Sequence, residues 1–158
     1  MKTIKHQADF CVIGGGLAGM CAAIQAARHG IKTILMHERP VLGGNASSEI
    51  RMWICGAAGW VETGLVEEIR LENLYRNNYP NYSVWDSILY EKVKFQDNLT
   101  CLLNCSCQDA VMDGSRIKSV KGWQMTTQTS ASRGYVLFRG ANKGHTQKSY
   151  KLSSGMRT

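Results

Sequence analysis

The chain has 158 residues, about one domain's worth, and a formal net charge of +7. No run of residues approaches the roughly 18 apolar positions of a membrane-spanning helix, which argues against a transmembrane protein. Six of the positive charges lie in residues 130–158, which contain no Asp or Glu, so the basic pI describes one end of the chain and is weak evidence for nucleic-acid binding.

The first predicted elements form a strand–helix–strand unit. A short apolar run from Phe10 to Ile13 predicts a buried strand, and Gly14, Gly16 and Gly19 follow it at Gly-x-Gly-x-x-Gly spacing. An alanine-rich helix and a second apolar strand come next, and Glu38 stands 19 residues after the third glycine. Strand, turn, helix and acidic residue all fall where a dinucleotide-binding βαβ unit requires them.

Each of these residues has a physical role in such a unit. Gly14 permits the tight strand-to-helix turn, Gly16 allows the backbone to approach a pyrophosphate, and Gly19 allows the helix to pack closely on the sheet. The helix N-terminus offers amides and positive dipole to phosphates. The carboxylate of Glu38 can accept hydrogen bonds from ribose hydroxyls.

A polar, glycine-rich connection over 39–48 follows, and long connections in compact domains are usually functional. Helical spacing then predicts a helix over 60–77 and another over 84–96. In the first helix one broad apolar face is predicted to contain four residues: Val61, Leu65, Ile69 and Leu74.

The next elements are predicted to be strands. The apolar run 99–104 is typical of a buried parallel strand. Segments 108–112 and 117–121 flank Asp113-Gly114, a strong hairpin signal, and weak alternation through Trp123, Met125 and Thr127 suggests a third strand. The order predicts an α/β fold with a parallel sheet and a β-meander, and we expect no further strand after Thr129.

Two regions are distinguished by composition. Residues 1–129 are predicted to form the folded domain. Residues 130–158 mix basic residues, glycine and serine around one apolar cluster, Tyr135 to Phe138, and are predicted to be a disordered or aberrant basic tail. The abrupt change indicates a truncated or frameshifted gene, with a purposeful basic tail as the alternative.

The segments 9–19 and 42–51 together resemble the amino-terminal part of bacterial FAD-dependent oxidoreductases of the glutathione-reductase-like superfamily. The first segment is shared widely across that superfamily, whereas Leu-Gly-Gly-Asn-Ala-Ser-Ser-Glu-Ile-Arg is similar to one branch in particular. The likeness covers residues 7 to about 129. It implies a Rossmann-like FAD/NAD(P)-binding domain, incomplete at its C-terminus, with FAD as cofactor.

The resemblance also implies a set of cofactor-binding residues. The glycine turn would hold the pyrophosphate, and the acidic residue after the second strand would bind the ribose. The following loop would line the adenine and phosphate side and then lead toward the flavin ring. These residues are Gly14, Gly15, Gly16, Gly19, Glu38, Arg39, Gly43, Gly44, Asn45, Ser47 and Ser48. The alternative interpretation is that Gly43-Gly44 is only a turn and Ser47-Ser48 a helix cap.

By the same resemblance, the parent protein would be a flavoprotein oxidoreductase that takes hydride from a small-molecule substrate. Such enzymes need a further strand with a Gly-Asp-type motif and a substrate domain, and nothing after Thr129 resembles either. We therefore assign no catalytic residue. The alternatives are an NAD-binding dehydrogenase domain, a non-enzymatic nucleotide-binding remnant, and a nucleic-acid-associated protein that uses its basic tail.

Other reactive side chains are interpreted as structural. His37 is expected to pack or face solvent, and Cys55 has no partner at dithiol spacing. The four histidines are scattered, so no metal site is predicted. Six cysteines without a Cys-x-x-Cys pair indicate reduced thiols and a cytoplasmic protein, and the basic N-terminus does not resemble a signal peptide.

Overall fold

The structure, a computed structural model, describes residues 2–54, 63–125, 127–132 and 135–138. The strands are β1 (Lys2–Gln7), β2 (Phe10–Ile13), β3 (Thr33–Met36), β4 (Leu99–Leu102), β5 (Ser106–Asp113), β6 (Arg116–Gln124), β7 (Thr127–Ser132) and β8 (Tyr135–Phe138). The α-helices are α1 (Leu17–Arg28), α2 (Gly64–Arg76) and α3 (Tyr82–Lys94), and a short 3-10 helix covers Gly44–Ala46. In the described residues, no helix combines the length and apolar character needed to cross a membrane.

A parallel sheet in the order β4-β3-β2-β8 forms the middle of the fold. All four residues of β3 are buried, as expected for a strand covered on both faces. β2 and β3 pair in parallel with Phe10 opposite Thr33, and α1 connects them. The predicted βαβ unit and α/β fold class are therefore confirmed.

Alternating residues of the central strands enter two different cores. Val12 and Leu35 pack with the buried faces of the three helices. Cys11 and Ile34 belong to a second cluster that includes Val120 of β6. The parallel sheet thus lies between a helical layer and a second sheet, whose order is β1-β7-β6-β5.

Two of the four residues assigned to the apolar face of α2 are buried. Leu65 and Ile69 of α2 are buried, but Leu74 is 69% exposed, so its assignment to the apolar face is wrong. The reason is geometric: at about 100° per residue, five residues rotate Leu74 some 140° away from Ile69. Val61, the remaining residue of the predicted face, lies outside the described residues.

The meander begins with the predicted hairpin. β5 and β6 pair antiparallel across Gly114, whose φ of 59° lies in the left-handed region that favours glycine. Trp123, however, belongs to β6, and the third strand starts only at Thr127.

The structure extends the sheets beyond the predicted limits. β1 was expected to be only a basic N-terminus, yet it pairs in parallel with β7. β7 continues past Thr129 and β8 adds a parallel strand beside β2, so the expectation of no further strand is wrong. β7 escapes prediction because Thr-Gln-Thr-Ser-Ala-Ser has no apolar alternation and is fixed by pairing with strands on both sides. Residues 139–158, most of the predicted tail, lie outside the described residues.

Candidate nucleotide-binding site

The glycine turn lies at the carboxyl edge of the parallel sheet. Gly14 follows β2 with a φ of 109°, and its N–H donates to the carbonyl oxygen of Met36 at 2.8 Å. Gly16 is the N-cap of α1, and this helix start has no capping hydrogen bond from a side chain. Ligands of open α/β sheets bind in this position, outside the carboxyl ends of the strands.

The glycines of this turn have three different surroundings. A Cβ built at Gly19 would lie 2.0 Å from the carbonyl oxygen of Gly14, so the close helix packing predicted from the sequence is present. A Cβ at Gly15 would lie 2.7 Å from ring and methyl carbons of His37 and Leu42. A Cβ at Gly16 would meet nothing within 4 Å. Of the three, only Gly16 faces open space.

The second glycine pair packs directly against the first turn. The N–H of Gly43 donates to the carbonyl oxygen of Gly15 at 2.8 Å, and a Cβ on Gly44 would approach the Cα of Gly16 to 3.2 Å. Gly43 has a φ of 101°, which an L side chain rarely adopts. The structure therefore brings together two glycine segments that are separated by more than 25 residues in the chain.

Charged residues border this arrangement. Glu38 is exposed and follows β3 by two residues, at the same sheet edge as the turn. Arg39 forms an ion pair with Glu49 at 3.0 Å. The Nε–H of Arg51 donates to the carbonyl oxygen of Ser48 at 3.2 Å.

The polar residues after the second glycine pair differ in exposure. Asn45 is exposed beside Gly44. Ser47 is buried, and its hydroxyl donates to the carbonyl oxygen of Gly44 at 2.7 Å, so this group stabilises the loop from within. The N–H of Ser48 donates to Oδ1 of Asp86 at 3.0 Å. The predicted contacts of these residues with a cofactor stay predictions.

Helix α3 supports the loop through aromatic side chains that the sequence analysis did not single out. The indole N–H of the buried Trp85 donates to the carbonyl oxygen of Ala46 at 2.7 Å. The ring of Trp53 stacks on Tyr82 with centroids 4.5 Å apart, and the Tyr82 hydroxyl donates to the carbonyl oxygen of Arg51 at 2.6 Å. Helical spacing could show that Trp85 is buried, but it could not show which carbonyl it binds.

His37 is the residue of this region whose role the sequence analysis missed. Its ring is buried rather than exposed to solvent, and Nδ1 accepts the N–H of Gly15 at 3.0 Å. Nε2 lies 3.0 Å from the carbonyl oxygen of Val41. Burial lowers the pKa of this imidazole below its usual range. A polar ring directly after a buried strand, opposite a glycine turn, was the signal available in the sequence.

The described cysteines are free thiols: Cys11, Cys21, Cys101, Cys105 and Cys107. Burial raises the pKa of Cys11 to about 12, which keeps it protonated and chemically inert. Cys55 lies outside the described residues. In the part of the chain that the structure covers, no group of three or more His, Cys, Asp and Glu residues could hold a metal ion.

Comparison with known proteins identifies the family. The model of the family described as FAD dependent oxidoreductase matches residues 9–138, most of the chain. The chain belongs to the FAD-dependent oxidoreductase family. The match includes β8 and ends at its last residue, and FAD is the cofactor that the family implies, as the sequence predicted.

Individual proteins are similar to parts of this chain. Mitochondrial dihydrolipoyl dehydrogenase of Schizosaccharomyces pombe is 56% identical over 36 residues, which cover 23% of this chain and 7% of that protein. A variant of Escherichia coli quinol fumarate reductase FrdA has a TM-score of 0.62 at 14% identity, over 86% of this chain and 32% of that one. The GidA-related protein of Thermus thermophilus has a TM-score of 0.59 at 13% identity, over 82% of this chain and 51% of that one.

These structural similarities, at low sequence identity, show the fold. The chain spans 7% of the curated relative and between about a third and a half of these two solved structures. The chain therefore matches only one part of each of these longer proteins.

Proposed function

We propose that this domain binds the adenosine diphosphate part of FAD with its pyrophosphate against Gly16 and the start of α1. The observation that carries the proposal is the contrast among the glycines of the turn. A Cβ at Gly15 or Gly19 would collide with protein atoms, whereas a Cβ at Gly16 would meet no atom within 4 Å. The amides and the positive end of the dipole of α1 favour a phosphate there.

The remaining predicted residues receive roles from their positions. We assign Glu38, exposed at the same sheet edge, to the adenosine ribose. Arg39 and the Gly43-Gly44 pair would border the adenine and phosphates, since that pair packs on the glycine turn. Asn45, Ser47 and Ser48 continue from there toward the flavin. Because the Ser47 hydroxyl is already bound within the loop, its contribution would be to hold the shape of that segment.

We further propose that the complete protein is an oxidoreductase acting on a small molecule. FAD, when bound, would supply the redox chemistry, which is the transfer of a hydride from the substrate. The residues described here bind and orient the cofactor and shape its electrostatic surroundings. Groups that polarise the substrate belong to parts of a longer protein, and a reducing, cytoplasmic location fits the free thiols of the described residues.

Purification of the 158-residue chain with added FAD tests the binding proposal. We expect the visible flavin absorbance to co-elute with the protein and FAD to raise the melting temperature by mass action. NAD under the same conditions is the matched control, because it shares the adenosine diphosphate part. Tighter binding of NAD than FAD would favour the dehydrogenase alternative, and no binding of either would favour the non-enzymatic remnant.

The proposed domain limits can be tested in the same assay. We propose that a chain ending with β8 is sufficient for nucleotide binding, since the family match also ends at Phe138. A chain shortened to Phe138 is expected to bind FAD like the full chain. Loss of binding would show that the basic segment belongs to the site.

A further inference from the structure

His37 links the two segments that form the candidate site. Its Nδ1 accepts the N–H of Gly15 at 3.0 Å, and its Nε2 lies 3.0 Å from the carbonyl oxygen of Val41, in the connection that leads to the second glycine pair. The backbone of His37 is fixed as well, because its N–H donates to Leu102 at 2.9 Å and its carbonyl accepts from Cys105 at 2.8 Å. The imidazole is thus hydrogen-bonded to both segments of the candidate site.

These contacts define one protonation state. A nitrogen that accepts a hydrogen bond from an amide carries no proton, so Nδ1 is bare and Nε2 carries the single proton that it donates to Val41. A second proton on the ring would have to sit on Nδ1. It would then point at the N–H of Gly15, and two donors would face each other in a buried position.

The site offers the ring little room to turn away. A Cβ at Gly15 would come within 2.7 Å of Cγ and 2.9 Å of Cδ2 of His37, which means that the imidazole lies directly on the peptide of the turn. A methyl carbon of Leu42 lies 2.7 Å from the same Cβ position. Protonation would therefore displace the Gly15 peptide rather than only rotate the histidine.

The charged groups that face the ring do not remove this conflict. Glu38 and Glu49 favour the protonated imidazole, and Arg39 opposes it. Arg39 and Glu49 also pair with each other at 3.0 Å, which weakens the field of both at the ring. Burial has the largest influence, and it lowers the pKa of the imidazole.

We propose that His37 is a positioning residue that holds the Gly15 peptide in its binding conformation, so that the affinity for FAD decreases when this imidazole is protonated. The inference rests on the proposed binding of FAD at this turn. In physical terms, the neutral imidazole of His37 can bind both the pyrophosphate turn and the connection to the Gly43-Gly44 segment, and the protonated imidazole cannot. The position of the His37 ring also requires glycine at position 15, since any side chain there would collide with the ring.

The test measures FAD dissociation constants by flavin fluorescence from pH 8 down to pH 5, for the full chain and three variants. His37→Asn keeps an amide oxygen that can accept from Gly15 but does not titrate, and His37→Leu removes the acceptor. His29→Asn, at an exposed histidine after α1, is the matched control. Melting temperatures of the chain without FAD are recorded over the same range, as a readout independent of the cofactor.

For the wild type and His29→Asn we expect affinity to fall as pH drops below the ordinary histidine range, by at most about tenfold per pH unit because one proton is involved. His37→Asn keeps an acceptor for Gly15 but loses the hydrogen bond to Val41, so its affinity for FAD at pH 8 should lie between those of the wild type and His37→Leu, with a flat pH profile. His37→Leu loses both hydrogen bonds and should bind FAD at least about tenfold more weakly than the wild type at pH 8, also with a flat profile.

Two results would overturn the inference. The first is an affinity that rises as pH falls, which would mean that attraction between the imidazolium and the FAD phosphates exceeds the donor conflict. The second is a wild-type profile that His37→Asn leaves unchanged. If no protein binds FAD at pH 8, the proposed function fails, while melting temperatures that fall with acid in the wild type but not in His37→Asn still support the role of His37.

Discussion

Alanine at Gly16 and alanine at Gly19 add the same methyl group to one turn in two different surroundings. At Gly19 the Cβ would lie 2.0 Å from the oxygen of Gly14, whereas real Cβ contacts are almost never shorter than 3.0 Å. The difference means that α1 and the turn must separate by about 1 Å. Overpacking costs about 1–3 kcal/mol, and a rigid backbone neighbour places Gly19→Ala near the upper value, or about 10 °C in melting temperature.

Gly16→Ala should behave in the opposite way. The backbone of Gly16 (φ −64°, ψ 167°) suits any L residue, and the new methyl group meets no protein atom within 4 Å. The free energy of unfolding should therefore change by less than about 0.5 kcal/mol. The methyl group would, however, occupy the space assigned to the pyrophosphate, so we expect the dissociation constant for FAD to rise at least about tenfold, or 1.4 kcal/mol.

The assay combines thermal unfolding of the chain without FAD with fluorescence titration of FAD at one pH. The reasoning predicts separate effects: Gly19→Ala lowers stability, and Gly16→Ala lowers affinity alone. Wild-type affinity in Gly16→Ala would refute the placement of the pyrophosphate. Equal losses of stability in both variants would refute the distinction between an open and a packed glycine.

Three further predictions concern the support of the site. Burial of the Trp85 indole against the carbonyl of Ala46 predicts that Trp85→Phe costs about 1–3 kcal/mol in urea unfolding, because that carbonyl loses its donor; an unchanged midpoint would contradict this. Asp86→Ala should weaken FAD binding about threefold to tenfold by freeing the amide of Ser48, whereas Asp86→Asn keeps an acceptor and should bind normally. The guanidinium of Arg28 and then Lys92 lower the pKa of Glu68 from 4.5 to about 2, so its stabilising effect is full above pH 4.5 and is lost as pH falls toward 2. Relative to the wild type, Glu68→Gln should lose at most about 1 kcal/mol at pH 7, since the carboxylate is more than a third exposed, and the difference should vanish near pH 2.

The parts of the fold that the sequence predicted are those with a local signal. β2 was predicted with its observed limits because a four-residue apolar run ends at Gly14, and α2 and α3 follow from helical spacing. β1 and β7 could not be found in this way. Their residues are mostly polar, and they become strands by pairing with each other across more than 120 positions of the chain.

For the site as well, the residues with a local sequence signal were predictable and those with long-range contacts were not. The spacing of Gly14, Gly16 and Gly19 has a mechanical meaning that holds in any chain, so the turn could be derived before the structure. The role of His37 depends on a partner 22 residues away and on which ring nitrogen faces it. No periodicity carries that information, because it arises only when β3 is placed beside β2.

The position of β8 has a consequence for synthesis of the chain. The second neighbour of β2 consists of residues 135–138, with Phe10 opposite Tyr135, so it follows β2 by more than 120 positions in the chain. Until those residues leave the ribosome, one side of β2 presents unpaired backbone groups, an exposed edge on which other strands can add. Such long-range closure is slow compared with formation of a helix or hairpin. The strand that leads into the glycine turn therefore keeps an unpaired edge while the residues between β2 and β8 are translated, and nascent chains halted in this interval are expected to aggregate through that edge.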